Sequence, residues 1–243
     1  MKLTKIKGIV IKETSYKDND KIITILSDTL GTVSVLAKGA KKTNSPSLAS
    51  SQFLVYSEFI LYKGTQYYYI NSCSVLNTFY NLRIDFDKLQ IAFELTRLIY
   101  RVTDENQDTS AILKLFLNTL YVLDHLEKFQ KDEKLVVAIF KIKLFERLGF
   151  APRVDICANC HEPLYEKKQE KVFYDYVENI FLCKNCIKSN DKKRYIEISV
   201  ATLYAIYYVM TADLKKVFSF RLKEKEDFEL FGQVFADSLS DNI

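Results

Sequence analysis

Proline occurs three times and glycine six times in 243 residues. That scarcity leaves little material for flexible linkers or long disorder. Histidine occurs only at His125 and His161. His125 falls near the end of an expected helix, where a cation is favoured. No segment approaches the roughly 18 consecutive apolar residues of a membrane span. The opening Met1-Lys2-Leu3-Thr4-Lys5 leads into an alternating run unlike an export signal. A reducing cytoplasmic, nucleoid-associated setting is therefore expected, where thiols serve as metal ligands more readily than as disulfides. The phosphate-cradling GxxxxGK[ST], the dinucleotide GxGxxG and the nucleophile-elbow GxSxG are all missing. Asp18 and Asp20 flank Asn19 without a third acidic partner, so a solvated turn is expected there rather than a magnesium site. With no nucleophile–base arrangement in view, the chain is expected to be a binding protein and not an enzyme. Neither a membrane nor a small-molecule substrate is expected as a partner.

What is present is ordinary for a globular chain, with 48% hydrophobic and 27% charged residues. The charge is uneven. Residues 1–80 carry ten lysines against five acids, a balance of +5 within a chain of net charge +4, so the remainder is close to neutral. A basic first third points to a polyanionic partner on that part, or simply to a solvated face.

Residues 3–80 read as strands. Alternation over Ile6–Glu13, the β-branched run Ile22–Leu26, and Thr32–Ala37 after the turn at Gly31 give three; Gln52–Tyr62 and Gln66–Leu76 give two more. Five short strands in this length predict a small barrel of OB or SH3-like type. From residue 82 the apolar period becomes helical, over 84–102, 110–128 and 134–148. The last of these is apolar nearly all round, apart from Lys141, Lys143, Glu146 and Arg147, and is expected to be buried. Gly149 and Pro152 end it. Helices resume at about 198–211 and 226–239.

Between them lie Cys157-Ala158-Asn159-Cys160 and Cys183-Lys184-Asn185-Cys186. Two CxxC pairs at this separation are the pattern of a zinc ribbon. Each turn presents two thiolates to one side of an ion, and two turns complete a tetrahedron. Four protein ligands leave no open position, so the expected Zn2+ is structural, one per chain. The 151–195 stretch has little apolar content of its own, a deficit that ligation offsets. Cys157–Cys160 followed by His161 also spells the haem-attachment CxxCH, which would leave the second pair unexplained. Thioredoxin-like redox use lacks a βαβ setting. Cys73, alone in a strand, reads as a small buried hydrophobe.

Lys38, Lys41 and Lys42 bracket Gly39-Ala40 at a strand end, where small residues admit a phosphate and lysines neutralise it. Tyr56, Tyr62 and Tyr67–Tyr69 either stack on unpaired bases or fill the barrel. For Phe53 and Phe59 the core is the expected place.

These residues resemble a known family. Gly8–Ile11, Asp20–Ser27, Gly31 and Ala37–Lys42 are similar to the N-terminal domain of the bacterial recombination mediator RecO. Leu148–Pro152, running into Asp155 and the first CxxC, continues the likeness, as does the second CxxC. The resemblance implies an α+β chain: a five-stranded OB-fold barrel over 1–80, a helical domain begun over 81–150 and completed over 196–243, and a zinc-ribbon-like four-cysteine insert over 151–195. It implies binding of single- and double-stranded DNA and annealing of complementary strands. It also implies work with RecR, and often RecF, to load RecA onto DNA covered by single-strand-binding protein. Carried over, Cys157, Cys160, Cys183 and Cys186 would hold zinc, and Lys38, Lys41 and Lys42 would contact DNA, with Lys12 and Lys21 beside them. The basic loop uses lysine where many relatives carry arginine, so it would hold phosphate as point charges rather than through a bidentate fork. A different class of function also fits: an adaptor whose helical and zinc parts recruit repair proteins, with DNA contact incidental. A zinc-dependent enzyme would need an open metal position.

Overall fold

The computed structural model describes residues 2–165, 171–187, 194–219, 226 and 228–232. Two compact units divide the chain, residues 1–125 and 126–243.

The first unit begins with five strands: β1 (Leu3–Tyr16), β2 (Asp20–Ser27), β3 (Thr32–Ala37), β4 (Tyr56–Lys63) and β5 (Tyr68–Asn77). β1 is long enough to pair antiparallel with β2 on one side and β4 on the other. β3 and β5 pair in parallel and close the barrel in the order β1-β2-β3-β5-β4. That order separates the two barrel types left open by the alternation: it is the OB arrangement. Every second residue points inward, and Ile6, Val10, Ile23, Ile25, Val33, Val35, Phe59 and Leu61 form the interior with Tyr68. Phe53 and Val55 precede the fourth strand instead of lying in it. Val10 accepts from the Leu54 N–H at 2.9 Å and donates to the Val55 carbonyl at 3.1 Å. These bonds hold 52–55 in a turn against β1.

Three helices follow: α1 (Tyr80–Ile84), α2 (Phe86–Val102) and α3 (Ser110–Asp124). The Asp85 carboxylate accepts from the Asp87 and Lys88 amides and starts α2. α2 packs on β1 and α3 on β2. A latch joins barrel to helices at the β2–β3 turn. Gly31 bridges Glu105, the Thr32 N–H donates to the Asp104 carbonyl at 3.1 Å, and the Asn106 N–H donates to the Leu30 carbonyl at 2.8 Å. The Thr109 hydroxyl donates to the Ser27 carbonyl at 2.6 Å.

The second unit holds α4 (Leu126–Phe129), α5 (Glu133–Arg147), β6 (Lys171–Asp175), β7 (Ile180–Leu182), β8 (Tyr195–Ser199) and α6 (Val200–Thr211). α5 is buried on almost every face, as its all-round apolar pattern requires. Lys143 is buried with it. Its ammonium donates to the Met210 carbonyl at 2.6 Å, in the last turn of α6, and lies 3.2 Å from Glu146. Burial is the main influence on this lysine and lowers its pKa, while Glu146 opposes the shift. Gly149 ends the helix with φ 83.

The stretch expected to be poor in apolar content contains an antiparallel sheet in the order β7-β6-β8. It buries Val172, Tyr174, Phe181, Leu182 and Ile198. The Tyr174 and Phe181 rings pack on Phe231, with centroids 4.8 and 5.5 Å away. Residues 228–232 are helical; the rest of the helix expected over 226–239 lies outside the described residues, apart from Glu226.

Candidate metal centre and nucleic-acid interface

The four cysteines of the two CxxC pairs converge. Their sulfurs all lie within 4.8 Å of one another, the only such group of potential metal ligands among the described residues. Two small turns bring them there. An Ile156–Pro163 bridge closes the first; within it the Cys157 N–H donates to the Glu162 carbonyl and the His161 N–H returns to the Cys157 carbonyl, both at 2.9 Å. The second turn, Lys184–Cys186, leaves the end of β7, where the Cys186 N–H donates to the Cys183 carbonyl at 3.0 Å. The turns are tied together by the Ala158 N–H on the Phe181 carbonyl at 2.9 Å. β7 therefore sets the distance between the pairs.

The donor set fits a tetrahedral ion. With Zn–S about 2.3 Å, the edge of an S4 tetrahedron is about 3.8 Å, and the Cys160 and Cys183 sulfurs are 3.7 Å apart. All five cysteines of the chain are free of disulfides. Burial opposes ionisation of Cys157, but amide groups of Cys160, Cys183 and Asn159 outweigh it and bring the thiol down to about 6. The Cys183 N–H reaches the Cys157 sulfur at 3.4 Å. Burial, together with its neighbouring thiols, pushes Cys183 up to about 12. His161 does not belong to the group, so the CxxCH spelling has no counterpart in a shared site. Cys73 stands apart in β5, where it accepts from the Ser50 hydroxyl at 2.9 Å.

Asp175 anchors the sheet that carries β7. It is 3% exposed, and its carboxylate accepts from Arg194 Nε at 2.7 Å and from the Val177 and Glu178 amides at 3.1 Å. Asp175→Ala would leave the Val177 and Glu178 amides without their acceptor and Arg194 on Glu178 alone. It is expected to cost about 2 kcal/mol, read as a lower urea midpoint; an unchanged midpoint would show the anchor to be idle.

The basic loop sits on the β1–β2 hairpin. The Gly39 N–H donates to Asp20 Oδ1 at 2.7 Å, the Lys41 N–H to the Asn19 carbonyl at 3.0 Å, and Lys41 Nζ to the Lys17 carbonyl at 3.0 Å. Asp20 is thus a pin for this loop, and Asp18 and Asp20 form no metal group among the described residues. The Ala40 and Lys42 amides also bond within the chain. With these amides occupied, any phosphate would meet ammonium groups. Lys38 and Lys42 are exposed and Lys41 is half-buried. Lys38 Nζ lies 5.1 Å from the Tyr69 ring, and Tyr69 stacks on Tyr62 with centroids 5.2 Å apart. Tyr68 is in the barrel core. Tyr68 thus fills the barrel, while Tyr56, Tyr62, Tyr67 and Tyr69 are half-buried. Lys12 is exposed farther along β1, and Lys21 is paired with Glu13 at 3.0 Å.

Sequence reasoning missed one group. Arg97, Tyr100 and Arg101 of α2 face Lys12 across a cleft. The signal was the recurrence of Phe86, Phe93 and Tyr100 every seven residues, hidden because α2 was read for its buried face alone.

An OB-type barrel joined to helices, followed by a unit with four clustered thiols that could hold a metal ion, defines a modular barrel protein with a cysteine knuckle. Comparison with known proteins gives the family. Residues 1–79 match the model of the recombination protein O N terminal region, and residues 83–233 that of its C terminal region. The chain is 37% identical to the DNA repair protein RecO of Acetivibrio thermocellus, over 92% of this chain and 86% of that protein. It is 32% identical to the DNA repair protein RecO of Caldicellulosiruptor saccharolyticus, over 92% of this chain and 87% of that one. The chain belongs to the RecO family of DNA repair proteins.

Proposed function

We propose that this protein is a DNA-binding recombination mediator without catalytic activity of its own. It binds single- and double-stranded DNA through the barrel, anneals complementary strands, and acts with RecR, and with RecF where present, to load RecA onto DNA covered by single-strand-binding protein. The observation that carries the reading is the lysine loop fastened to the β1–β2 hairpin of an OB-type barrel. Lys38, Lys41 and Lys42 neutralise phosphates, Lys12 extends the path along β1, and Lys21 supports it by neutralising Glu13. Contacts of this kind hold the backbone and leave base edges open, which is what pairing with a second strand requires.

Cys157, Cys160, Cys183 and Cys186 hold one structural Zn2+, which fixes the second unit. The barrel over 1–80 is the DNA-binding part, the 151–195 insert the zinc part, and 81–150 with 196–243 the helical body. The cytoplasm is the setting that keeps these thiols reduced.

Binding should weaken steeply with salt, with a slope of about −0.7 per phosphate on a single strand. Lys41→Glu with Lys42→Glu is expected to lower affinity roughly tenfold or more at low salt. Gel-shift titration reads both. Strand annealing with and without single-strand-binding protein then separates a mediator from an adaptor: an adaptor would bind RecR without annealing anything.

A further inference from the structure

The cleft between β1 and α2 has a volume of about 510 Å3, and the reading above uses only its β1 rim, Lys12 and Glu13. β1 shifts register between Val10 and Lys12, and a bulge of this kind re-aims the side chains beside it. Lys12 reaches across the cleft, its Nζ 5.4 Å from the Tyr100 ring. On α2, Phe86, Phe93 and Tyr100 are 78%, 48% and 51% exposed. Large aromatics left in water along one helix face mark a surface that something covers. Phe93 lies flat on Phe53, with centroids 4.2 Å apart and planes 10° apart. This gives the cleft a fixed aromatic layer. Lys12, Arg97 and Arg101 bring three cations, and the one acid, Glu13, is neutralised by Lys21.

From this geometry we infer that the cleft takes one unpaired nucleotide of a single strand. Its base lies against Phe93 and Tyr100, and its flanking phosphates lie on Arg97, Arg101 and Lys12. The inference rests on the DNA reading and adds to it a pocket that duplex DNA cannot fill, because duplex bases are stacked and paired. Cations among aromatics also suit an acidic peptide. Continuity favours a nucleic acid strand. β1 runs from Lys12 to Tyr16 and turns into β2, and the lysine loop is fastened to that same hairpin. The strand covers about 13 Å between those residues at about 3.3 Å each, a span a few nucleotides can follow.

The chain has no tryptophan, so Tyr100→Trp places a single indole reporter in the cleft of the full-length protein. Oligothymidylate is expected to quench it, and a blunt duplex of equal length to leave it nearly unchanged. In anisotropy titrations, Arg97→Glu with Tyr100→Ala is expected to weaken oligothymidylate binding roughly tenfold, with duplex affinity held within about twofold. Lys41→Glu with Lys42→Glu should weaken both. If the cleft variant keeps its oligothymidylate affinity while the loop variant loses it, the pocket is refuted and the DNA reading stands. Equal loss on both nucleic acids refutes the unpaired-base pocket in favour of a general phosphate patch. No loss in either variant removes the DNA reading itself. Quenching by an acidic aromatic peptide, and none by oligothymidylate, makes the cleft a peptide site and overturns the inference.

Discussion

Replacing Cys183 with serine is expected to strip the metal from the chain and to unfold the cysteine-bearing region of the second unit. Cys183 is 4% exposed and stands where β7 hands over to the second turn. Its backbone binds the first pair as well as the second, through the N–H to the Cys157 sulfur and the carbonyl to the Cys186 N–H. Structural zinc contributes on the order of 10–16 kcal/mol in isolated finger peptides. That is as large as the whole stability of a typical domain, about 5–15 kcal/mol. The sheet's own core of Tyr174, Phe181 and Phe231 would keep part of the structure. The expected result is therefore loss of the cooperative unfolding transition of this unit with the barrel intact. Metal analysis should fall from about one zinc per chain to none. Hydrogen exchange should speed up over β6, β7 and the two turns. Cys73→Ser, at the cysteine bonded to Ser50, should keep its metal. A wild-type chain that is folded and metal-free would sink the zinc assignment outright.

Gly31→Ala is expected to cost about 3–5 kcal/mol. Gly31 has φ 71, a region that disfavours any residue with a Cβ, and an added Cβ would stand 1.9 Å from the Asp104 carbonyl oxygen. That oxygen cannot retreat cheaply, because it accepts the Thr32 N–H, and Leu30 and Ser27 are tied into the same turn. Left-handed backbone accounts for about 1–2 kcal/mol; steric displacement of the latch accounts for the rest. Gly39→Ala isolates the first part. It has φ 66, yet the nearest atom to its Cβ is Lys42 Cδ at 3.9 Å. Urea unfolding should show a loss of about 1–2 kcal/mol at Gly39 and one roughly two to three times larger at Gly31. Equal losses would mean that the latch is soft and that the barrel does not depend on its helices.

Much of this was legible from residues alone. Alternation over Ile6–Glu13 gave a strand, because burying one face of a sheet demands a period of two, and the β-branched run Ile22–Leu26 gave another. The helical period gave α2, α3 and α5 for the corresponding reason. The CxxC pairs gave the ligand cluster, because two such turns converge only when something joins them. Alternation could not choose between two barrels, because every small barrel shares it. The parallel β3–β5 pairing decided for OB, and it is a contact between residues far apart in sequence. The sheet around Asp175 escaped notice because strands as short as Ile180–Leu182 carry too few residues for a period to register.

Sequence by itself determined the kinds of element, the four thiols and the basic bias of the first third, since each is a local matter of residue type and spacing. Tertiary structure decided how each lysine of that third is engaged. Lys21 is paired with Glu13, Lys41 bonds the Lys17 carbonyl, and Lys38 and Lys42 are exposed. It also placed Arg97 and Tyr100 opposite Lys12. A side chain's partners are set by what the fold brings within a few ångströms, and no property of the residue or its neighbours in sequence contains that distance.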